Sequence, residues 1–351
     1  MGLIERLAEQ AKKNPKRIVF PEGDNPEIAA AASALEKDGV VKPIVLRTSP
    51  LTLALSPKGE GFEKSSPSPK GEENKGVASP LAGEGKGGGV EVINPGKDAE
   101  RLVRFSEIYA QKHQTSLKIA ERLCRRSIFF GAMMVATGEA DGMVAGIDAA
   151  TAIVLQCAGL AIGLAPGISI PSSFFVMAFP ELLGEKDKVL IYADCAAAVE
   201  PDSEQLAGIA VLTAQNAKRL LGIEPKVAFL SFSTKGSASH SRTEKVIKAV
   251  EIAGKMAPEI DFDGEMQADA ALVPRVAAKK APGSKVAGKA NILIFPDLDS
   301  GNIAYKLSQY LAGATAYGPI VQGFNRPIND LSRGATAKDI YGVAVITALL
   351  G

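Results

Sequence analysis

Few of the residues that mark specialised chemistry occur in this sequence. Its 351 residues include three cysteines, two histidines and no tryptophan, and aromatics make up only 5%. Cys124, Cys157 and Cys195 are too few and too scattered for a disulfide framework or a zinc site. That usage fits a reducing cytoplasm. His113 and His240 stand apart, without a metal partner at ligand spacing, and read as surface or packing residues. No apolar run reaches the roughly 18 residues of a membrane-spanning helix. The opening Met1-Gly2-Leu3-Ile4-Glu5-Arg6 has neither a secretory apolar core nor the hydroxyl of a myristoylation signal. Neither sign of charge dominates: 40 Lys and Arg face 39 Asp and Glu, for a net +1. The expectation is therefore no membrane and no nucleic-acid partner, because no global field draws the chain to a polyanion. The G-x-S-x-G, H-E-x-x-H and Walker patterns are absent as well.

What is present is enough apolar material for large cores, at 46% of residues, in a chain long enough for two domains. Residues 3–13 carry Leu3, Ile4, Leu7 and Ala11 on one helical face. Arg17 to Phe20 and Lys42 to Leu46 read as short buried strands flanking an alanine-rich helix from Asn25 to Lys37. Residues 48–91 break the pattern, with nine Gly, five Pro and six Ser and the near-repeats SPKGEG (56–61) and SPKGEE (68–73). Such a composition buries too little apolar area to offset backbone entropy of about 1–2 kcal/mol per residue, which predicts a low-complexity, disordered insertion. Beyond it, helix is expected over most of Ala99 to Arg126, with a break near Gln114–Ser116. Strands follow at Ser173–Ala178, Val189–Tyr192, Lys226–Ser231 and Asn291–Phe295, and helices at Ser203–Leu221, Thr243–Lys255 and Ile303–Ala312. The alternation predicts an α/β fold on parallel sheets covered on both faces, with ligands beyond the carboxyl ends of the strands.

Three strand-end loops then become candidates. The loop 231–241 holds Ser233, Thr234, Lys235, Gly236 and Ser237, a set of hydroxyls with one cation that suits an anion such as phosphate. A solvated loop ahead of a helix capped at Ser241 is the plainer alternative. In 295–306, Ser300, Gly301 and Asn302 fall at a helix start, where backbone N–H groups favour an anion; ordinary capping by Asp299 or Ser300 is the alternative. In 323–340, Arg333 beside Ser332 can bind a tetrahedral oxyanion, and Asp339 can act as a general base. A structural bridge from Arg333 to Asp330 or Asp339 is the competing reading. The three cysteines, in helical or strand-core contexts, are expected to be buried and inert.

The strings RIVFPEGDNPEIAAAA (17–32), ADGMVAG (140–146), FLSFSTKGSA (229–238), the run 263–306 and YGPIVQGFNRPINDLSRG (317–334) together resemble the phosphate acetyltransferases. The likeness covers nearly everything outside 48–91. It implies a two-domain α/β fold with parallel sheets, similar in shape to the isocitrate and isopropylmalate dehydrogenases. The implied domains are 1–148 plus 324–351, carrying the insertion, and 149–323. It also implies a homodimer, and reversible transfer of an acetyl group between acetyl phosphate and coenzyme A. Inorganic phosphate and acetyl-CoA are the other partners. Coenzyme A is a substrate, and no tightly bound cofactor or metal is required. By the same resemblance Asp339 takes the thiol proton while Ser332 and Arg333 hold the phosphate and the developing charge. Two cleft arginines of the family fall on Gln111 and Gln156 here, and Arg104, seven residues before Gln111, is a possible substitute cation. A catalytically impaired, ligand-binding or regulatory paralogue, and a butyryl-transferring relative, are the alternatives.

Overall fold

The computed structural model describes residues 2–48 and 89–351, so all but the ends of the 48–91 segment lie outside the described residues. The chain begins with α1 (Leu3–Ala11), β1 (Lys16–Phe20), α2 (Pro26–Lys37) and β2 (Val41–Leu46). After the segment come β3 (Glu91–Ile93), α3 (Ala99–His113), α4 (Leu117–Cys124), α5 (Ser127–Ala136) and β4 (Gly142–Ala145). The middle of the chain comprises α6 (Thr151–Ala161), β5 (Ser172–Leu182), β6 (Glu185–Ala193), α7 (Ser203–Leu221), β7 (Lys226–Leu230), α8 (Ser241–Met256) and β8 (Asp261–Met266). Two short helices, α9 (Ala268–Leu272) and α10 (Pro274–Lys280), precede β9 (Ile292–Ile294) and α11 (Leu298–Leu311). The chain closes with β10 (Thr315–Gln322), β11 (Ile328–Asp330) and α12 (Ala337–Leu350).

These elements build two sheets. The first runs β11-β4-β1-β2-β3 and is parallel throughout. Side-chain alternation divides its two faces. Ile18 and Phe20 of β1 join the core under α1, α2 and α12, while Val19 joins the core under α3, α5 and α6. Both faces are covered, as the apolar run Ile18-Val19-Phe20 that ends β1 requires. The second sheet runs β10-β5-β6-β9-β7-β8. Its β6, β9, β7 and β8 are parallel, but β5 is antiparallel to both β6 and β10. The wholly parallel arrangement expected from the alternation is thus corrected at one edge. Only Leu183 and Gly184 join β5 to β6, at φ of 53° and 81°, and a two-residue turn of that hand can only make a hairpin.

α12 ties the two sheets together. Its Ile340, Val343, Ala344 and Ile346 are buried in a core that also contains Leu206, Ala210 and Ala214 of α7. Where β10 turns into β11, the Asn329 side chain accepts from the Val321 amide (2.7 Å) and donates to Thr347 Oγ1 (2.6 Å). These buried bonds fix the start of β11, the strand that leads into Ser332 and Arg333.

Candidate active site

The carboxyl ends of β1, β4 and β11 lie side by side, and the loops leaving them are joined by carboxylates. Glu22, two residues beyond β1, accepts four successive backbone N–H groups of the loop after β4. They come from Gly146 (2.6 Å), Ile147 (3.1 Å), Asp148 (3.1 Å) and Ala149 (2.8 Å). Such a concave run of amides is an anion nest, and here its anion is a side chain of the same protein. Asn25 caps α2 through Glu27 N and also donates to Asp148 Oδ1 (3.0 Å). Glu27 in turn accepts from the first amide of α12, at Ala337 (2.6 Å). Asp330, the last residue of β11, accepts from Thr151 Oγ1 at the start of α6 (2.5 Å). Its other oxygen, Oδ1, is buried without a hydrogen-bond partner among the described residues. Burial, with the Glu22 charge adding to it, pushes the Asp330 carboxyl up to about 7.

Ser332 and Arg333 sit on the exposed turn that follows Asp330, and Arg333 makes no hydrogen bond or ion pair with any other described residue. The bridge to Asp330 or Asp339, the competing reading of this arginine, is not formed. Asp339 lies at the third position of α12, half-buried, in a reciprocal cap with Thr336. Its Oδ2 accepts from Thr336 N (2.9 Å) and Oγ1 (2.7 Å), while Oδ1 has no partner among the described residues. The carboxylate is therefore held in one direction by a hydroxyl and an amide, with one oxygen left to accept a proton. A free guanidinium, a hydroxyl and an oriented carboxylate within eight residues can bind a tetrahedral oxyanion and take a proton beside it.

The other candidates sit at the carboxyl end of the second sheet. In the loop after β7, Ser233 is fully buried and donates to Glu265 Oε1 (2.7 Å), which also accepts from Gly236 N (2.9 Å). Thr234 N donates to Ser237 Oγ (3.0 Å), and Lys235 pairs with Asp263 and donates to Gly264 O (3.0 Å). The loop is thus folded onto β8, and its one cation is engaged. His240, not Ser241, caps α8, its Nδ1 accepting from Arg242 N. Farther along, α11 starts at Leu298, five residues before the expected Ile303, because Asp297 caps it through Ser300 N (2.9 Å). Ser300 also donates to Asp297 O (2.8 Å), and Asn302 donates to Cys195 O (3.0 Å). Gly301 packs so closely on Asp194 O that a Cβ there would overlap it. No hydrogen bond or ion pair joins these two loops to Ser332, Arg333 or Asp339 among the described residues.

Gln111 and Gln156 are exposed, on α3 and α6. Lys112 links those helices by donating to Ala161 O (3.2 Å). The Arg104 guanidinium is paired with Glu139, which also holds Arg101. Cys124, Cys157 and Cys195 are buried and unpaired, and burial raises all three thiols, most strongly Cys195. A cavity of about 340 Å³ lies beside α7, lined by Ile168, Ile170, Glu204, Gln205, Leu212 and Ile252 among others; it contains none of the candidate residues. Among the described residues no cluster of three or more His, Cys, Asp or Glu side chains could hold a metal ion, and no helix is long and apolar enough to cross a membrane. The sequence reading missed Glu22 and the inward face of Asp330. The available signal was an acidic residue at, or two residues past, the end of a buried strand, in PIND and FPEGD.

A free arginine and an oriented carboxylate beyond the ends of a parallel sheet are what an α/β enzyme acting on a small oxyanion would present. Comparison with known proteins identifies which: the chain belongs to the phosphate acetyl/butaryl transferase family, whose model matches residues 2–63 and 71–348, and is an acyltransferase. It is 45% identical over 352 residues to a phosphate acetyltransferase of Thermoanaerobacterium thermosaccharolyticum, covering 99% of both chains. It is 43% identical over 353 residues to one of Acetivibrio thermocellus, covering 99% of this chain and 98% of that one. Among solved structures, a phosphotransacetylase from Streptococcus pyogenes superposes with a TM-score of 0.82 at 38% identity, covering 99% of this chain and 97% of that one.

Proposed function

We propose that the protein transfers an acetyl group reversibly between acetyl phosphate and coenzyme A. Asp339 removes the thiol proton, the thiolate attacks the acetyl carbonyl, and Arg333 with Ser332 holds the phosphate and the charge that develops on it. The observation that carries this reading is Arg333, a cation unpaired among the described residues, beside a hydroxyl at the carboxyl end of the parallel sheet and six residues from a carboxylate with one free oxygen. A free thiol is only a few per cent ionised at neutral pH, with a pKa near ~8.5, so a positioned base contributes about 10²–10⁴-fold. An acyl phosphate is already activated, and positioning and charge stabilisation supply most of the rest. Coenzyme A is bound as a substrate, contacting 233–237 and 300–302 once those loops open their internal bonds. On this reading Asp339→Asn lowers acetyl-CoA formation at least ~10²-fold while leaving the fold intact, measured by turnover and circular dichroism. An unchanged rate would remove Asp339 from the mechanism.

The strands of the two sheets fall into 1–148 plus 324–351 and 149–323, which supports that division into a discontinuous and a middle domain, while α6 packs on the first sheet. The homodimer is supported by α11, where Ile303, Leu307, Tyr310 and Leu311 form an exposed apolar stripe, the last two 80% exposed. A second reading, an impaired paralogue that binds ligand without efficient turnover, is favoured by Gln111 and Gln156. A hydrogen bond to a charged group is worth ~1.5–3 kcal/mol against about 1 for a neutral one, so two such losses weaken anion binding substantially. Butyryl transfer is the alternative within the enzyme class, and competing acetyl and butyryl phosphates in one assay separates them.

A further inference from the structure

We propose that Asp330 is the positioning residue of this site: its carboxyl, locked between Thr151 and Gly146, fixes the end of β11 and so aims Ser332 and Arg333 at the phosphate. The inference rests on the phosphate-binding role proposed above for those two residues.

The geometry is unusual for a carboxyl group. Asp330 is 2% exposed, and no cation pairs with it among the described residues. A buried carboxylate is ordinarily paired with a cation or fully hydrogen-bonded. Here Oδ2 accepts one bond from Thr151, and Oδ1 faces the Cα of Gly146, where a Cβ would overlap it. The backbone at Asp330 is held in register with Ala145 on β4. One side chain therefore joins the end of β11, the end of β4 and the first residue of α6. From that junction the chain reaches Ser332 and Arg333 in two and three residues, and α6 carries Gln156 five residues on.

The surrounding ionisable groups define the protonation state that suits this role. β4 carries none, α6 only Cys157, β10 only Tyr317, and α12 carries Lys338, Asp339 and Tyr341. Among the described residues, Glu22 from the loop after β1 is the charged group that bears on Asp330, and it is also an acid. The neutral carboxyl keeps the loop in place without adding charge beside an incoming phosphate dianion. The ionised carboxylate, with Glu22 behind it, repels that dianion.

The test uses the full-length protein and its Asp330→Asn and Asp330→Ala variants. Three readouts apply: steady-state constants for acetyl phosphate and coenzyme A, calorimetric binding of inorganic phosphate at pH 6 and 8.5, and melting temperature. Asp330→Ala should lower kcat/KM for acetyl phosphate at least tenfold, with KM for coenzyme A within twofold of wild type. Asp330→Asn, neutral at every pH, should stay within threefold of wild type at pH 6. At pH 8.5 it should bind phosphate at least fivefold more tightly than wild type does. The variant-to-wild-type ratio removes the titration of phosphate itself. An Asp330→Ala effect shared equally by both substrates, or a ratio for Asp330→Asn that is the same at both pH values, would overturn the proposal. Wild-type protein that binds phosphate with the expected ratio but forms no acetyl-CoA would leave Asp330 in its role and reject acetyl transfer.

Discussion

Asp330 is a residue whose burial works against stability. Its carboxyl is raised to about 7 from an ordinary value near ~3.9. A raised carboxyl favours the fold fully only where it is neutral in both states. That advantage is lost as pH climbs from about 4 through 7, at about 1.4 kcal/mol per unit and on the order of 4 kcal/mol in all. Urea unfolding at pH 4.5 and 8 should therefore show Asp330→Asn gaining stability over wild type as pH rises; parallel pH profiles for the two proteins would contradict it. Gly146 is the complementary residue. Its φ of 103° and the lack of room for a Cβ beside Asp330 Oδ1 both demand glycine. Gly146→Ala should cost about 1–3 kcal/mol, read as a lower melting temperature.

Elements decide how much of this could be read before folding. β1, β2, β7 and β9 were legible because each carries a short apolar run (IVF, PIVL, VAFL and ILI), and α3 and α4 separate at Gln114–Ser116 as their spacing predicts. β11 was not legible: three residues, Ile328–Asp330, follow a proline in a polar stretch, too short for any period to emerge. α12 was equally hidden, since it is apolar on nearly every face and shows no amphipathic stripe. Ser332, Arg333 and Asp339 were singled out by their motif. Their setting was not, because Glu22 and Asp330 act on partners more than a hundred residues away. The cap joining Thr336 to Asp339 is part of that setting. Thr336→Ala should cost ~1 kcal/mol of stability. It should also lower turnover by freeing the Asp339 carboxylate to rotate; full turnover with reduced stability would make the cap purely structural.

The whole molecule presents two sheets welded by α12 and α7, and a helix, α11, whose apolar stripe faces outward. On the proposed dimer, a second copy covers Tyr310 and Leu311. Tyr310→Glu combined with Leu311→Glu should convert a dimer to monomers in sedimentation velocity; an unchanged sedimentation coefficient would move the interface elsewhere. Of the span from residue 2 to 348, the family model leaves only 64–70 unmatched, within the Gly- and Pro-rich segment. The central claim concerns the chemistry at the end of β11. Its most direct test is acetyl-CoA formation by the purified protein from acetyl phosphate and coenzyme A without added metal, compared with Arg333→Ala. The account predicts turnover by the wild type and at least a hundredfold loss in the variant. Folded wild-type protein with no turnover above background, or an Arg333→Ala variant as active as wild type, would contradict it.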